Sequence, residues 1–217
     1  MSVRVEVWGD YACFTRPEMK VERVSYDVMT PSAARGLLEA IYWHPGLHWI
    51  VDKIYVLNPI AFTNIRRNEV KSKISARNVR SVMNGGEDPL FISTSDDIQQ
   101  RAALVLKNVR YVIEAHFKIT EEASEGDNKG KFCDIMRRRL EKGQCYHQPC
   151  FGCREFPAHF RKWDGGEITT AYAGEERDLG FMLFDLDYSE PKNISPQFFR
   201  AQLKEGVLDL RDCEVFK

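Results

Sequence analysis

The order of strand and helix patterns along the chain is the feature that most constrains its fold. Val3, Val5 and Val7 alternate with polar or aromatic residues, which is the period of a half-buried strand. A helix pattern follows Thr30, which can cap it ahead of a proline in the first turn, and a second helix pattern covers residues 132–141. Strand patterns occupy the stretch between these two helices.

Two strand-like stretches lie between the helices. Residues 49–63 are predicted to form strands interrupted at Pro59, and residues 100–120 contain two apolar runs flanking Lys107-Asn108, which predicts a hairpin. The order strand, helix, strand, strand, helix, strand predicts class α+β, with a ferredoxin-like β-α-β-β-α-β core in residues 1–145. RNA-recognition modules and metabolic enzymes share this fold, so the fold alone does not define the function.

The remainder of the chain predicts a smaller second domain. Residues 146–217 contain short strand patterns that would form a small C-terminal β-sheet extension. Leu179–Tyr188 is the clearest of these strands, and Gly206–Phe216 is predicted as its hairpin partner. Upstream, residues 64–80 show no strong periodicity, and residues 84–89 are predicted to form an exposed turn.

Charge is segregated along the chain, although its 217 residues carry a formal net charge of only −1. Residues 64–80 hold six basic side chains and one acid, and residues 129–142 hold six basic side chains and two acids. Residues 164–190 reverse the sign, with eight acids and a single arginine. Such asymmetry is typical of a near-neutral protein with a polyanion-binding face, while solvated clusters of like charge are the alternative.

The cysteines are predicted to be reduced. No apolar run approaches the length of a membrane span, and the N-terminus lacks the apolar block of a signal peptide, so we expect a cytoplasmic protein. Cys150-Phe-Gly-Cys153 has the spacing of a zinc knuckle, to which Cys145 or His147 could add a ligand. Because structural zinc sites normally have a second, distant pair of ligands, buried thiols are favoured, and neither a metal nor a cofactor is predicted.

A histidine and a lysine in the stretch 100–120 form a candidate catalytic pair. Period-two alternation places Glu114, His116 and Lys118 on one face of a strand. Imidazole can move the proton of a 2′-hydroxyl or of a leaving oxygen, and an ammonium can stabilise the charged phosphorane, so the pair suits RNA cleavage without a metal. The alternative is a sheet histidine with a structural hydrogen bond.

Tyr42 closes the first predicted helix, next to His44 and His48. A phenol is a poor base at neutral pH, but it can donate a hydrogen bond to a phosphate or orient a nucleophile. Packing at the helix end is the simpler interpretation from spacing alone. The sequence has no GxxxxGK[ST], GxGxxG, HExxH or GxSxG motif, which argues against nucleotide-binding and nucleophile-elbow enzymes.

Long contiguous segments resemble one protein family, the CRISPR-associated Cas-five family, d subfamily, of type I-C systems. The segments are Val7–Lys20, Ser25–Trp43 and Asn64–Val70, with shorter ones at Gly143–Cys145 and Gly152–Phe156. The resemblance therefore runs from the first strand to about Phe156. Leu179–Asp187 is also similar to the family.

The resemblance implies a ferredoxin-like RAMP core with a C-terminal β extension. It implies an endoribonuclease that binds the hairpin of the CRISPR repeat and cuts precursor crRNA at the 3′ base of the stem. Cleavage would need no metal, because the 2′-hydroxyl attacks the adjacent phosphate. The protein would then remain bound as a subunit of the type I-C Cascade antiviral complex.

The resemblance also assigns site residues. Tyr42 matches the family's tyrosine and His116 matches its histidine, whereas Ala115 stands where the family has a lysine. Lys118 lies on the same face as His116 by alternation and is the predicted replacement, with Lys107 and Lys131 as alternatives.

The basic side chains are predicted to contact phosphates along the repeat stem, where binding would weaken steeply with salt. They are Arg66, Arg67, Lys71, Lys73, Arg77, Arg80, Arg137, Arg138 and Arg139. Tyr11, Phe14 and Trp43 are candidate stacking surfaces for unpaired bases, with core packing as the alternative.

Two other functions stay open at this point. Because Ala115 replaces the expected lysine, one alternative is a non-catalytic scaffold that binds the crRNA 5′ handle while another protein cuts. Because Asp185-Leu-Asp187 supplies carboxylates, the other alternative is a metal-dependent nuclease with double-stranded DNA as a further partner.

Overall fold

The computed structural model describes residues 2–19, 21–87, 89–190 and 192–217. These residues form mostly antiparallel sheet with three helices, so the predicted class α+β is confirmed. The elements are β1 Val3–Ala12, β2 Arg23–Val24, α1 Pro31–Ile41, β3 Leu47–Val56, β4 Phe62–Val70, α2 Ala76–Met83, β5 Ile98–Ile119, α3 Lys129–Lys142, β6 His159–Lys162, β7 Glu176–Asp187, β8 Ser195–Lys204, β9 Val207–Asp209 and β10 Val215–Phe216.

The chain divides into two compact units. The first combines Met1–Thr63 with Leu104–Lys217, and the second consists of Asn64–Ala103. The second unit contains most of β4, all of α2 and the start of β5. The domain boundary predicted between residues 145 and 146 stays a prediction.

The sheet of the first unit orders its strands β10-β8-β9-β3-β5-β1-β6, and β7 pairs with β8. Each of these neighbouring pairs is antiparallel. The central strand β5 is paired on one side with β1 and on the other with β3, and β6 flanks β1. β1, β3, β5 and β6 thus form one surface, from which side chains project alternately to either side.

Both predicted helices are confirmed. In α1 the side chain of Thr30 accepts a hydrogen bond from the Ala33 N–H, and Pro31 occupies the first turn, as the sequence predicts. Helix α3 buries Phe132, Met136 and Leu140 and ends at Gly143, whose φ of 62° is left-handed and favours glycine. Among the described helices, none is long and apolar enough to cross a membrane.

The hairpin predicted at Lys107-Asn108 is wrong. Residues 98–119 form one continuous strand, β5, because β1 pairs with it on both sides of that dipeptide, at Gly9–Val109 and Ala12–Leu106. Asn108 adopts a left-handed φ of 52°, and the strand continues through it without reversing.

The predicted partner of the C-terminal strand is also wrong. β7 pairs along its length with β8, whereas Gly206–Phe216 contains only the short strands β9 and β10. The proline at the second position of β8 concealed the strand, because proline cannot donate to a strand ladder.

The basic stretch 64–80 is ordered despite its lack of periodicity, since it supplies most of β4 and the first half of α2. The turn predicted over 84–89 is present at Asn84-Gly85, and its Asp88 lies outside the described residues.

Candidate active site

His116 lies on β5 with an aspartate from β3 beside it. The side chains of Glu114 and His116 are half-buried and Lys118 is exposed, while Ala115 and Phe117 between them are buried. This pattern confirms the predicted shared face. The Nδ1 atom of His116 is 2.9 Å from both carboxylate oxygens of Asp52.

The contact with Asp52 fixes the tautomer of His116. An ionised carboxylate only accepts hydrogen bonds, so Nδ1 carries the proton and donates it to Asp52. The imidazole therefore presents Nε2 as its free acid–base atom. The His116 side chain is 37% exposed, which leaves it open to a substrate.

Sequence reasoning missed Asp52. The register between β3 and β5 shifts between Val51 and Lys53, so Asp52 occupies an irregularity in the strand pairing. Ile50 lies directly opposite His116, and Asp52 is two residues further along β3, so alternation places both on the same face of the strand. This two-residue spacing was the signal available in the sequence, but the pairing register of β3 with β5 could not be read from it.

Polar groups surround the His116–Asp52 pair. Arg4 donates to Glu114 at 2.7 Å, and the Tyr55 hydroxyl donates to the same carboxylate oxygen at 3.2 Å. Lys118 is paired in register with His48, and its ammonium makes no hydrogen bond or ion pair among the described residues. Lys118 is thus available to an anionic substrate beside His116.

Tyr42 is not brought together with His116. Its side chain is 4% exposed and its ring packs edge-on against Phe132 of α3, at 6.2 Å between centroids. Phe132 in turn packs against Phe117. Because His116 and Phe117 are successive strand residues, His116 points to the opposite face of the sheet from this aromatic cluster.

The environment of Tyr42 makes its phenol harder to ionise. Burial raises the pKa of Tyr42, and the Arg139 guanidinium, 5.0 Å from the ring centroid, only partly opposes that effect. Ala115, the position at which the resemblance predicts a lysine, is fully buried and projects to the Tyr42 side. Lys118 therefore does not occupy the space that a lysine at position 115 would.

Other ionisable groups do lie on the Tyr42 side. The Nδ1 atom of His44 accepts a hydrogen bond from the Gly46 N–H at 3.1 Å, and its Nε2 atom is 3.8 Å from Asp127. Lys131, one of the predicted alternatives, donates to Asp127 at 2.7 Å. This hydrogen bond holds the pKa of the Asp127 carboxyl below its usual value.

The predicted RNA-contact residues of the second unit are mostly exposed. Arg66, Lys71, Lys73, Arg77 and Arg80 are exposed on β4, the following loop and α2. Arg67 is half-buried, with its guanidinium 3.4 Å from Glu69. Positive charge in this unit therefore faces solvent along a single stretch of chain.

The three arginines of α3 differ in their surroundings. Arg137 is exposed and donates to Asp134 at 2.9 Å, and Arg138 is exposed. Arg139 is half-buried, donates to the Ile41 carbonyl at the end of α1 and covers the Tyr42 ring. Arg139 thus has a structural role at the helix end that its neighbours lack.

The cysteine-rich segment packs against β1. Contact with Cys153 and burial raise the pKa of the Cys13 thiol, and Arg23 donates to the Cys153 sulfur at 3.2 Å. His147 is exposed and packs against Tyr146. Among the described residues, no group of three or more histidine, cysteine or acidic side chains is arranged to hold a metal ion.

The three candidate stacking residues have different environments. Phe14 is in the core, edge-on to Tyr111 and Phe151. Tyr11 and Trp43 are exposed.

The fold and the site together define an antiparallel α+β protein that carries a partly exposed histidine–carboxylate pair on its sheet and a separate basic stretch of chain. A family model described as CRISPR-associated protein (Cas_Cas5) matches residues 2–211, so the chain belongs to that family, in which this model represents Cas5d. This confirms the resemblance seen in the sequence.

Two curated proteins are similar over nearly the whole chain. A CRISPR pre-crRNA endoribonuclease Cas5d from Mannheimia succiniciproducens is 53% identical over 213 residues, covering 96% of this chain and 94% of that protein. A protein of the same name from Thermus thermophilus is 42% identical, covering 96% of this chain and 90% of that protein.

Solved structures share the fold. A CRISPR-associated protein superposes with a TM-score of 0.72 at 24% identity, and a functionally uncharacterized protein from Streptococcus mutans does so with 0.71 at 21%; each comparison covers all of this chain and 97% of the other. A chain of a CRISPR RNA-guided surveillance complex gives 0.52 at 10% identity, over all of this chain and 89% of the other.

Proposed function

We propose that this protein is an endoribonuclease that cleaves the repeat hairpin of precursor crRNA, with His116 as its acid–base group. Two curated relatives that match 96% of the chain carry the name pre-crRNA endoribonuclease. The observation that carries the assignment of the catalytic group is the 37% exposed His116 side chain, which is held at Nδ1 by Asp52 and whose Nε2 makes no hydrogen bond among the described residues.

The geometry suits a metal-independent transesterification. Nε2 of His116 takes the proton of the 2′-hydroxyl, whose oxygen attacks the adjacent phosphorus. The bond to the 5′ oxygen breaks and that oxygen takes a proton from water, which leaves a 2′,3′-cyclic phosphate and a 5′-hydroxyl. The hydroxide formed from the water then takes the proton held on Nε2, which restores neutral His116. The Lys118 ammonium, two residues further along the same face, stabilises the charge on the phosphorane.

The role of Tyr42 is a separate part of the proposal. Its ring is buried on the other side of the sheet, with His44 and Lys131 nearby. Tyr42 and Lys131 would therefore act in a different place from His116 and Lys118. Variants of the two lysines distinguish these locations, because only the lysine that contacts the scissile phosphate affects the cleavage step.

The sheet order supports a ferredoxin-like core. The elements β1, α1, β3, β5, α3 and β6 follow one another as β-α-β-β-α-β, and the strands lie in the order β6-β1-β5-β3, all antiparallel. This is the arrangement of a split β-α-β fold. On this proposal the core extends to Lys162, and the β extension comprises β7 to β10.

The partners follow from the same function. The basic stretch 64–80 and the exposed Arg137 and Arg138 would contact stem phosphates. Assembly into a type I-C Cascade in the cytoplasm is part of the proposal, and the similarity in fold to a surveillance-complex chain supports it.

An end-labelled repeat hairpin, incubated in EDTA with wild type and variants, tests the proposal. We expect one cut at the 3′ base of the stem with a 5′-hydroxyl product, and loss of that cut in His116→Ala by a factor of about 100 or more. His48→Ala is the matched control, because His48 is an exposed histidine one strand away. Three further variants show on which side of the sheet cleavage takes place: Lys118→Ala, Lys131→Ala and Tyr42→Phe.

Other outcomes contradict specific parts of this proposal. Salt-sensitive binding of the hairpin without any cut would replace the enzyme with a scaffold that binds crRNA. Cleavage that appears only when a divalent metal is restored would move the chemistry away from His116. Undiminished cleavage by His116→Ala would do the same.

A further inference from the structure

We propose that the exposed face of β5, β1 and β6 binds unpaired nucleotides of single-stranded RNA at a site built around Trp8. The inference rests on the proposed function only because that function makes RNA the ligand. Trp8 of β1 is paired directly with Arg110 of β5 and with His159 of β6. Directly paired residues project to the same face, so these three side chains form a row across the strands.

The row offers planar surfaces for stacking. The rings of Trp8 and His159 lie 5.7 Å apart between centroids with only 24° between their planes. The guanidinium of Arg161, from the next position along β6 on this face, lies 5.5 Å from the Trp8 ring centroid. Aromatic rings and guanidinium planes on an open sheet are the surfaces on which proteins stack unpaired bases.

A buried carboxylate fixes the cations of this site. The Glu6 side chain is 1% exposed and accepts hydrogen bonds from Arg110 at 2.6 Å and from Arg161 at 2.5 Å. The two guanidinium groups share this single carboxylate, so the cluster of Glu6, Arg110 and Arg161 carries a net charge of +1. Both arginines remain about half exposed, and their remaining N–H groups can bind a phosphate without first being ordered.

A cavity beside the row completes the site. Its volume is about 330 Å³, and its polar lining consists of Asn58, Asn108, the two arginines and the carboxylates of Glu6 and Asp10, with Trp8 beside them. The Asn58 side-chain amide donates to the main-chain carbonyl of Asn108 at 2.8 Å. Among the described residues no donor contacts the Asn58 side-chain oxygen, so that oxygen can accept a hydrogen bond from a base edge. Base edges and faces are accessible only where RNA is unpaired, so the site suits nucleotides flanking a stem and not the stem itself.

Fluorescence anisotropy with a labelled single-stranded oligoadenylate RNA of about ten nucleotides tests the inference on the full chain. We expect Trp8→Ala to weaken binding about tenfold or more, because one stacked base is lost, and Trp8→Phe to retain most of the affinity. Arg161→Gln should also weaken binding. Tyr188→Ala, which removes an exposed aromatic ring from the segment after β7, should leave binding unchanged.

Photocrosslinking of thiouridine-containing RNA to the wild-type protein needs no variant and so avoids any effect on folding. Crosslinks to peptides of β1 or β6 support the site, whereas crosslinks confined to residues 64–80 overturn it. Equal affinity of Trp8→Ala and wild type overturns it as well, and so does binding of the matching DNA oligonucleotide in preference to RNA.

The hairpin-cleavage assay on the same preparations separates this inference from the proposed function. If wild type cuts the hairpin but Trp8 variants bind oligoadenylate normally, the sheet-face site is wrong and the nuclease stands. If RNA binding depends on Trp8 but no preparation cuts the hairpin, the site stands and the nuclease is wrong.

Discussion

His116 is held by one carboxylate at Nδ1, and its side chain is 37% exposed. The two equal 2.9 Å distances from Nδ1 to Asp52 restrict rotation of the imidazole and keep its proton on Nδ1. An acid–base residue needs both features, because proton transfer requires a defined tautomer at a defined position. Asp52 is therefore a positioning residue that acts through His116.

Replacing Asp52 tests that role. Asp52→Asn is expected to lower kcat for hairpin cleavage about 100-fold with little change in KM, since an amide can present either an acceptor or a donor to Nδ1. Asp52→Glu should recover part of the activity. Asp209→Asn, at a neighbouring carboxylate paired with Lys53 and Arg211, is the control. A change confined to KM would contradict the positioning role.

Glu6 is a buried carboxylate whose titration makes stability depend on pH. Burial alone would raise its pKa, but the hydrogen bonds from Arg161 and Arg110 hold the pKa below the ordinary value of 4.5. A lowered pKa in the folded state means that the carboxylate stabilises the fold above about pH 4.5 and loses this contribution as the pH falls through the folded value.

The corresponding prediction compares Glu6→Gln with wild type in urea unfolding. We expect a loss of about 1–2 kcal/mol at pH 7, because two charge-assisted hydrogen bonds weaken. The difference should shrink below about pH 4.5, because the Glu6 carboxylate of the unfolded chain takes up a proton there while that of the folded protein stays ionised to lower pH. Glu176→Gln, at an exposed position of β7, should stay within about 0.5 kcal/mol at every pH. If the difference in free energy of unfolding between wild type and Glu6→Gln grew as the pH fell, the prediction would be wrong.

At the scale of elements, β5 organises the first unit, since both β1 and β3 pair with it. Its continuity depends on Asn108, which accommodates a left-handed φ of 52° within an otherwise extended strand. Asparagine tolerates this conformation better than β-branched residues do.

Substitution at Asn108 should therefore depend on side-chain branching. Asn108→Val is expected to lower the free energy of unfolding by about 1–2 kcal/mol, and Asn108→Gly should cost much less. Urea unfolding measures both. Lys107→Val, at the neighbouring exposed position, is the control and should be nearly neutral. Equal losses of unfolding free energy for Asn108→Val and Lys107→Val would show that strand pairing, and not the left-handed backbone conformation, determines the loss of stability.

The elements also show what the sequence could predict. Thr30 and the apolar stripe behind it predicted α1 correctly, and period-two alternation placed Glu114, His116 and Lys118 on one face. These features depend on local periodicity. The continuity of β5 through Asn108 depends on pairing with β1, and the contact of Asp52 with His116 depends on an irregular register, so neither could be read from local patterns.

At the scale of the whole molecule, charge is distributed by segment. The second unit carries the exposed basic residues of 64–80, whereas most of the acids of 164–190 lie on or next to β7. Several of these acids are paired: Arg35 donates to Asp185, and Arg200 donates to Asp178. The exposed basic residues of the second unit are therefore a better site for a polyanion than the acidic segment 164–190.

The salt dependence of hairpin binding tests this assignment. Each phosphate contact that is lost should reduce the slope of log affinity against log salt by about 0.7–0.9, so the triple change Lys71→Gln, Lys73→Gln and Arg77→Gln should reduce it by about 2–3. Lys204→Gln on β8 should leave the slope unchanged. A uniform loss of affinity without a change of slope would mean that these side chains do not contact phosphate.

The alternation along the end of β5 has a consequence for how this segment tolerates variation. Ile113, Ala115 and Phe117 are buried, while Glu114, His116 and Lys118 between them face outward. Substitutions at the first set act on protein abundance, and substitutions at the second act on the activity of protein that accumulates normally. A saturation library scored separately for yield and for cleavage would therefore show two interleaved profiles, each with a period of two residues and out of phase with the other.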